Sequence, residues 1–480
     1  MNGALDRPRW HPGLADSDPL LEQLRAESRD PDFIPRLIEQ LLLNNPHRVR
    51  LTMAPDPALI QKQAAAERER LAAIRAALSE ADQVRLVEQA RVLAERQQKS
   101  DDPEQLPKVG LEDVPAELPI AEGVNHPVGA LPVAWYAQGT NGMVYLQTIF
   151  ELPALTAEEL DLLPLFCACL SEVGSAGRDY RATQARQAAV TGGLSARATV
   201  RGGVDDVRQV KGVLALTGKA LARNQAALAD LLWETWTTPR FDELPRLREL
   251  IAQMRSHREE AITHHGHALA LAAATASLSP VAALNQRWDG LIGLQRLKAL
   301  DDALDDTESL AAFAARLEQL RDRLQHAPRQ LLVVSEAERQ SAITEALAVH
   351  WREGAAAAEP FALATPEPRP LRQGFSVNTQ INFCAKAYPT VAPNHPDAPA
   401  LQVLGDFLRN GYLHRAIREQ GGAYGGGAGY HPDSGAFRFH SYRDPRFTDT
   451  FADFDRALDW LQTYDHPART LEEAILGLIA

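Results

Sequence analysis

The stretch LHRAIREQGGAYGGGAGYHPDSGAFRFHSYRDPR, residues 413–446, reads as the end of a helix, a glycine break and two strands. Working outward from it, the pattern predicts a helix from Ala398 to Glu419, a stop at Gly421-Gly422, strands AYGGGAGY and GAFRFHSYR, and a helix over 449–464. FSVNTQINFCAKAY (375–388) is the strand expected to open this unit. The same order occurs earlier in the chain. LPVAWYAQ (131–138) and GMVYLQTIFEL (142–152) flank Gly139-Thr140-Asn141-Gly142, the signature of a β-hairpin. Helices follow over Ala157–Val173 and Tyr180–Val190, then Gly192-Gly193, strands LSARATV (194–200) and QVKGVLALTG (209–218), and helices over 222–236 and 243–271. The expected fold class is therefore α+β, a unit far longer than a solenoid repeat used twice.

Upstream, Leu20–Asn44 reads as helix and Arg48–Met53 as one strand with no earlier strand to pair with, as if a domain had lost its front. Apolar residues at helical spacing give two further helices between Asp56 and Lys99, with a capping box at Ser79-Glu80-Ala81-Asp82. They lead into DDPEQLPKVGLEDVPAELP, whose four prolines forbid regular helix. That segment is expected to be a helical-hairpin linker. The second copy closes on LEEAILGLIA after its first helix past the sheet, so the chain is expected to be clipped at this end as well.

Composition removes several classes of partner. Lys and Arg number 50 against 63 Asp and Glu, a net charge of −13 in 480 residues, so no basic field favours nucleic acid or an anionic membrane. No signal peptide or membrane span is legible. Three cysteines, with Cys167 and Cys169 inside an apolar run, make neither a disulfide framework nor a zinc ribbon, and a reducing, cytoplasmic setting is expected.

Four constellations could carry chemistry. The run GGAYGGGAGY (421–430) sits after a helix and before a strand, the reverse of a phosphate-binding loop, and reads as a helix cap plus a strand thinned for close backbone approach, by a packed element or a bound peptide. His257, Glu260 and His264 share a helix face, but the sequence lacks the second histidine one turn away that a zinc peptidase helix requires, and a solvated polar face is the plainer reading. Cys167 and Cys169 read as inert core. Arg418 on the last helical turn and Tyr424 beyond the glycine break can converge, and a guanidinium with a phenol is suited to hold a peptide carbonyl, though from spacing alone a lone Arg and Tyr on a rim are more often mere surface.

The long motifs LHRAIREQGGAYGGGAG and FRFHSYRDPR, with LPKVGLEDVP, HRVRLTMAPD and TGGLS, resemble the C-terminal half of the presequence-protease branch of the insulinase (pitrilysin) zinc metallopeptidases. The resemblance implies residues 1–57 as the remnant of a second domain, 58–106 as the linker, 107–325 as a third domain and 326–480 as a fourth, incomplete one. It implies a metalloendopeptidase that degrades short unfolded peptides in a closed chamber, with zinc and its glutamate base in an N-terminal half, on the same polypeptide or a separate chain, and no metal in this chain. Arg418 and Tyr424 match the family's pair that meets the reacting carbonyl. Gly421, Gly422, Gly425 and Gly426 are expected to make room for substrate. The alternative is a non-catalytic peptide-binding or scaffold subunit of a two-chain peptidase.

Overall fold

A computed structural model describes residues 17–98, 109–351, 359–367 and 369–479, and the chain divides into two compact units, Met1–Pro107 and Lys108–Ala480. The first contains α1 (Ser17–Glu27), α2 (Phe33–Ile38) running into a π turn at Glu39–Leu43, α3 (Leu59–Ala77) and α4 (Glu80–Gln98). The single helix expected over Leu20–Asn44 is interrupted where Pro31 follows Asp30, whose carboxylate accepts from the Asp32 amide at 3.0 Å and from Arg36 at 2.7 Å. The capping box forms as read: the Asp82 amide donates to Ser79 Oγ and the Ser79 amide to Asp82 Oδ2, both at 3.2 Å. Arg48–Met53 forms no strand, because a strand exists only by pairing its amides and carbonyls and none of the described residues of this unit presents an edge to it. The end of the expected linker, 99–106, lies outside the described residues.

The second unit opens with β1 (Val124–Asn125), β2 (Val133–Ala137), β3 (Met143–Glu151), α5 (Ala157–Leu170), α6 (Tyr180–Val190), β4 (Gly193–Gly202) and β5 (Val210–Leu221). It continues through α7 (Gln225–Thr237), α8 (Leu244–Thr275), α9 (Pro280–Trp288), α10 (Leu291–Ala303), α11 (Thr307–Leu324), β6 (Arg329–Ser335) and α12 (Gln340–Ala348). These strands form one sheet in the order β1-β2-β6-β3-β5-β4. Alternate residues of β3 and β5 point inward, Val144, Leu146 and Phe150 with Leu214, Leu216 and Ala220, onto the apolar sides of α5 and α7. Phe150 stacks on Trp236 of α7 at 3.9 Å, and both are fully buried.

Two expectations change here. β2 and β3 are not a hairpin, because β6 lies between them, parallel to β2 and antiparallel to β3. QLLVVS is the apolar run whose Leu331 and Val333 the core requires, and the five-residue connection after Ala137 is long enough to step over one strand at ~4.8 Å spacing. The sheet thus draws on residues beyond 325, where the fourth domain was expected to begin.

The last part has its own core. β7 (Ala385–Pro389), α13 (Ala398–Leu408) with its π-helical continuation Arg409–Gln420, β8 (Gly425–His431), β9 (Ala436–Tyr442), α14 (Thr448–Thr463) and α15 (Ala468–Ile479) surround a three-stranded sheet ordered β7-β9-β8. Phe437, Phe439, Leu408, Leu413, Ile417 and Phe454 fill that core. Of the expected 375–388 strand, 385–388 fall in β7 and Asn382 makes an isolated bridge to Asp444, while Phe383 covers Gly266 of α8. The order β3-β5-β4 in the first sheet and β7-β9-β8 in the second bears out the repeated unit.

α13 lies almost on the backbone of β8. A Cβ on Gly405 would stand 2.8 Å from Gly429 Cα and 2.9 Å from the Ala428 carbonyl oxygen, whereas a Cβ on Gly429 would meet nothing within 4 Å. Gly405→Ala should therefore lower stability by about 1–3 kcal/mol through overpacking, while Gly429→Ala should be neutral or slightly stabilising by restricting the unfolded chain. Paired urea melts measure both, and equal effects would show that helix and strand are not in tight register.

Candidate active site

The helix ending at Gln420 and the strand beginning at Gly425 bring Arg418 and Tyr424 together. The turn between them is built by glycine. Gly422 adopts φ +78°, which few side chains tolerate, and the amides of Gly422 and Ala423 return to the carbonyls of Arg418 and Ile417 at 3.0 and 3.1 Å. Below the turn, Arg446 lies where a Cβ of Gly421 would project and pairs with Asp453 at 3.0 Å. Asp444, fully buried, accepts from the Arg446 amide at 2.9 Å and from Thr450 at 2.7 Å. This network fastens the segment after β9 to the end of the helix that carries Arg418.

Arg418 Nη1 donates to the Tyr424 carbonyl, and its guanidinium carbon lies 5.2 Å from the centre of the Tyr424 ring. Both side chains are exposed, Tyr424 at 63%. The remaining donors of the Arg418 fork make no other hydrogen bond among the described residues. The phenol ring is held edge-on by Tyr442 at 5.6 Å; Tyr442 in turn meets His267 of α8 at 4.9 Å, and His267 lies 5.6 Å from His440. Arg443, at φ +50°, lies over the Tyr442 ring at 5.4 Å. The arrangement sets an exposed guanidinium beside an exposed phenol, two groups whose chemistry can receive a carbonyl or carboxylate oxygen.

The four glycines do different things. Gly421 leaves room for Arg446, Gly422 makes the left-handed turn, and a Cβ on Gly426 would stand 2.9 Å from two carbons of Ile417. Gly425, paired with Tyr442 across the sheet, faces open space. Sequence reasoning missed Tyr442 and His267. Strand register is the signal for Tyr442, since Gly425 opposes it, but no local pattern brings α8 to this face.

The zinc alternative does not fit. His257, Glu260 and His264 are exposed, His264 Nδ1 lies 3.1 Å from the Glu260 carbonyl oxygen, and no group of three or more potential ligands able to hold a metal ion occurs among the described residues. Cys167 and Cys169 are buried, and desolvation pushes both thiols up to about 12, far from a reactive thiolate. No described helix is long and apolar enough to cross a membrane.

His440 generates a pH dependence. Burial first, then the charges of His267, Arg438 and Arg409, lowers it from the ordinary 6.5 to about 4; burial also lowers His267 and His431. Between these values the unfolded chain binds the proton and the folded chain does not, so this contribution is intact above pH 6.5 and lost as pH falls toward 4. The loss attributable to His440 should be roughly 3–4 kcal/mol at ~1.4 kcal/mol per unit. His440→Asn should flatten the fall in urea midpoint between pH 7 and 4; an unchanged profile would contradict the burial of a neutral imidazole.

The family described as associated with peptidase M16, subfamily C, matches residues 53–300, more than half of the chain, and the PreP C-terminal domain matches 372–480. Presequence protease, mitochondrial, of Danio rerio is 28% identical over 475 residues, covering 94% of this chain and 46% of its own length. The Yarrowia lipolytica protein of that name is 27% identical, covering 100% of this chain and 49% of its own. A conserved protein from Enterococcus faecalis V583, of known crystal structure, shares the fold at TM-score 0.55 and 12% identity over 74% of this chain and 84% of its own. The chain spans about half the length of the curated relatives it matches. It belongs to the family associated with peptidase M16, subfamily C, and is similar to the C-terminal half of presequence proteases. Those relatives are named as mitochondrial, which gives the cytoplasmic expectation no support.

Proposed function

We propose that this chain supplies the substrate-holding, oxyanion-stabilising half of a zinc metalloendopeptidase that degrades short unfolded peptides inside a closed chamber. The observation that supports the reading is the proximity of Arg418 and Tyr424, both exposed, at the end of a helix fastened from below by Arg446 and Asp444. As a peptide carbonyl is attacked, its oxygen gains negative charge, and donors already fixed there stabilise the transition state more than the ground state. Arg418 offers the remaining donors of its planar fork and Tyr424 its hydroxyl. Gly425 leaves the peptide backbone room beside the phenol.

Family membership supports a hydrolase, and the family implies zinc in the complete enzyme. On this reading zinc and its base come from an N-terminal half, carried on the same polypeptide or a separate chain, because His257, Glu260 and His264 do not make a site. The chain alone should accordingly retain no stoichiometric zinc after dialysis and cleave no quenched peptide. One tightly held zinc per chain with chelator-sensitive cleavage would overturn that assignment.

In the complete protein, Arg418→Ala and Tyr424→Phe should each lower kcat by about 10²–10³ while KM changes less. Arg418→Lys should recover little, since a point charge does not reproduce a planar fork. Arg415→Ala, three residues earlier and exposed on the same helix, should be nearly silent. Zinc content should not change in any variant. Steady-state kinetics on one short peptide decides, and equal, small effects at Arg415 and Arg418 would reduce the pair to part of the chamber wall.

A further inference from the structure

A pocket of about 260 Å³ lies between α8, α9 and the β8–β9 hairpin, apart from the Arg418–Tyr424 pair. Its polar lining is His267 and Thr275 from α8, Asn285 from α9, and His431, Ser434 and Arg438 from the hairpin. On β9, Arg438 and Tyr442 share a face but stand four residues apart, roughly 13 Å along the strand. The polar groups are nearly all donors or potential cations.

Their charge is unbalanced. Arg438 is half-buried, yet among the described residues no carboxylate pairs with it and no acceptor receives its N–H groups. Elsewhere in this unit, buried Arg246 pairs with Glu172 and Glu249, and half-buried Arg255 and Arg446 pair with Asp301 and Asp453. His267 Nδ1 is buried with no hydrogen-bond partner. His431 Nδ1 meets Ser434 Oγ at 3.0 Å, and the acid felt at His431 is Asp433. Around these stand further positive or ionisable groups: His265 beside His267, and His440 with Arg409 behind it. A guanidinium stays charged at every working pH, and a partly desolvated charge without a counter-charge is unfavourable. An anion from outside would complete the set.

We propose that this pocket binds a carboxylate, with the Arg438 fork as its principal partner and His267, His431 and Asn285 as supporting donors. A planar carboxylate matches the guanidinium fork in two parallel hydrogen bonds. The volume accommodates the end of a short peptide or an acidic side chain, at ~30 Å³ per water-sized group. The pocket faces three elements, so its occupant ties α8 and α9 to the hairpin. The proposal does not depend on the Arg418–Tyr424 reading.

The test uses the 480-residue chain with histidine-selective isotope labels and four probes: an acetylated tripeptide with a free terminal carboxylate, its amide, the amide carrying an internal glutamate, and inorganic phosphate. The free-carboxylate tripeptide should shift the His267 and His431 resonances, raise the pH at which both titrate, and bind at millimolar dissociation constants or tighter. The plain amide should do neither. A response to the glutamate peptide as well would support a general carboxylate site, and a response to the terminal carboxylate alone a peptide-end site. Arg438→Gln should weaken binding at least about tenfold, with circular dichroism confirming the fold. If that variant does not fold, the titration of the unaltered chain decides. Silence of both histidines toward every carboxylate probe at tens of millimolar, or a response to phosphate alone, overturns the proposal.

Discussion

A helix can rest on the backbone of a strand only where the helix carries no Cβ at the crossing, and close approaches of this kind organise the C-terminal part of this molecule. Gly405 brings α13 onto Gly429 and Ala428, Gly426 admits Ile417, and Gly421 leaves room for Arg446. Each removed side chain weakens the strand intrinsically. What offsets this is a short, rigid passage from helix to strand that holds Arg418 and Tyr424, six residues apart, beside one another. The buried Asp444 and the Arg446–Asp453 pair then clamp the same passage from beneath. The glycine-rich run is thus chiefly a packing device, and its open position, Gly425, adjoins the phenol.

Much of this was legible in the sequence because it is local. Periodicity located most of the helices, the Ser79–Asp82 box formed as read, and the repeated order of strands and helices reappears as two sheets with matching strand order. The Arg418–Tyr424 pair was readable for the same reason, being six residues apart across one break. What failed was non-local. The residues around Gly139–Gly142 look like a hairpin because turn chemistry is read from neighbours, but strand pairing is set by the core, which draws in Leu331 and Val333 from almost 200 residues away. Likewise Arg48–Met53 has strand composition and no strand, since β-propensity has no effect without a partner edge. Tyr442 and His267 support Tyr424 through sheet register and interhelical packing, neither of which leaves a trace in a single stretch of sequence.

The face of β9 toward α8 carries polar groups in alternate positions, Arg438, His440 and Tyr442, while Phe437 and Phe439 fill the core behind. One strand therefore serves two ends: Tyr442 braces the proposed carbonyl site, and Arg438 lines a pocket of its own. His440 between them stays neutral by burial, which keeps this seam free of a further positive charge at neutral pH.

Whether Arg418 and Tyr424 meet the reacting carbonyl is tested most directly by a crystal structure of the complete peptidase bound to a phosphinic peptide, whose tetrahedral oxygens stand in for those of the attacked carbonyl. Tyr424 Oη and an Arg418 guanidinium nitrogen should lie about 2.7–3.1 Å from one phosphinate oxygen, with the peptide passing Gly425. A phosphinate bound with its oxygens out of hydrogen-bond reach of both side chains would contradict that role.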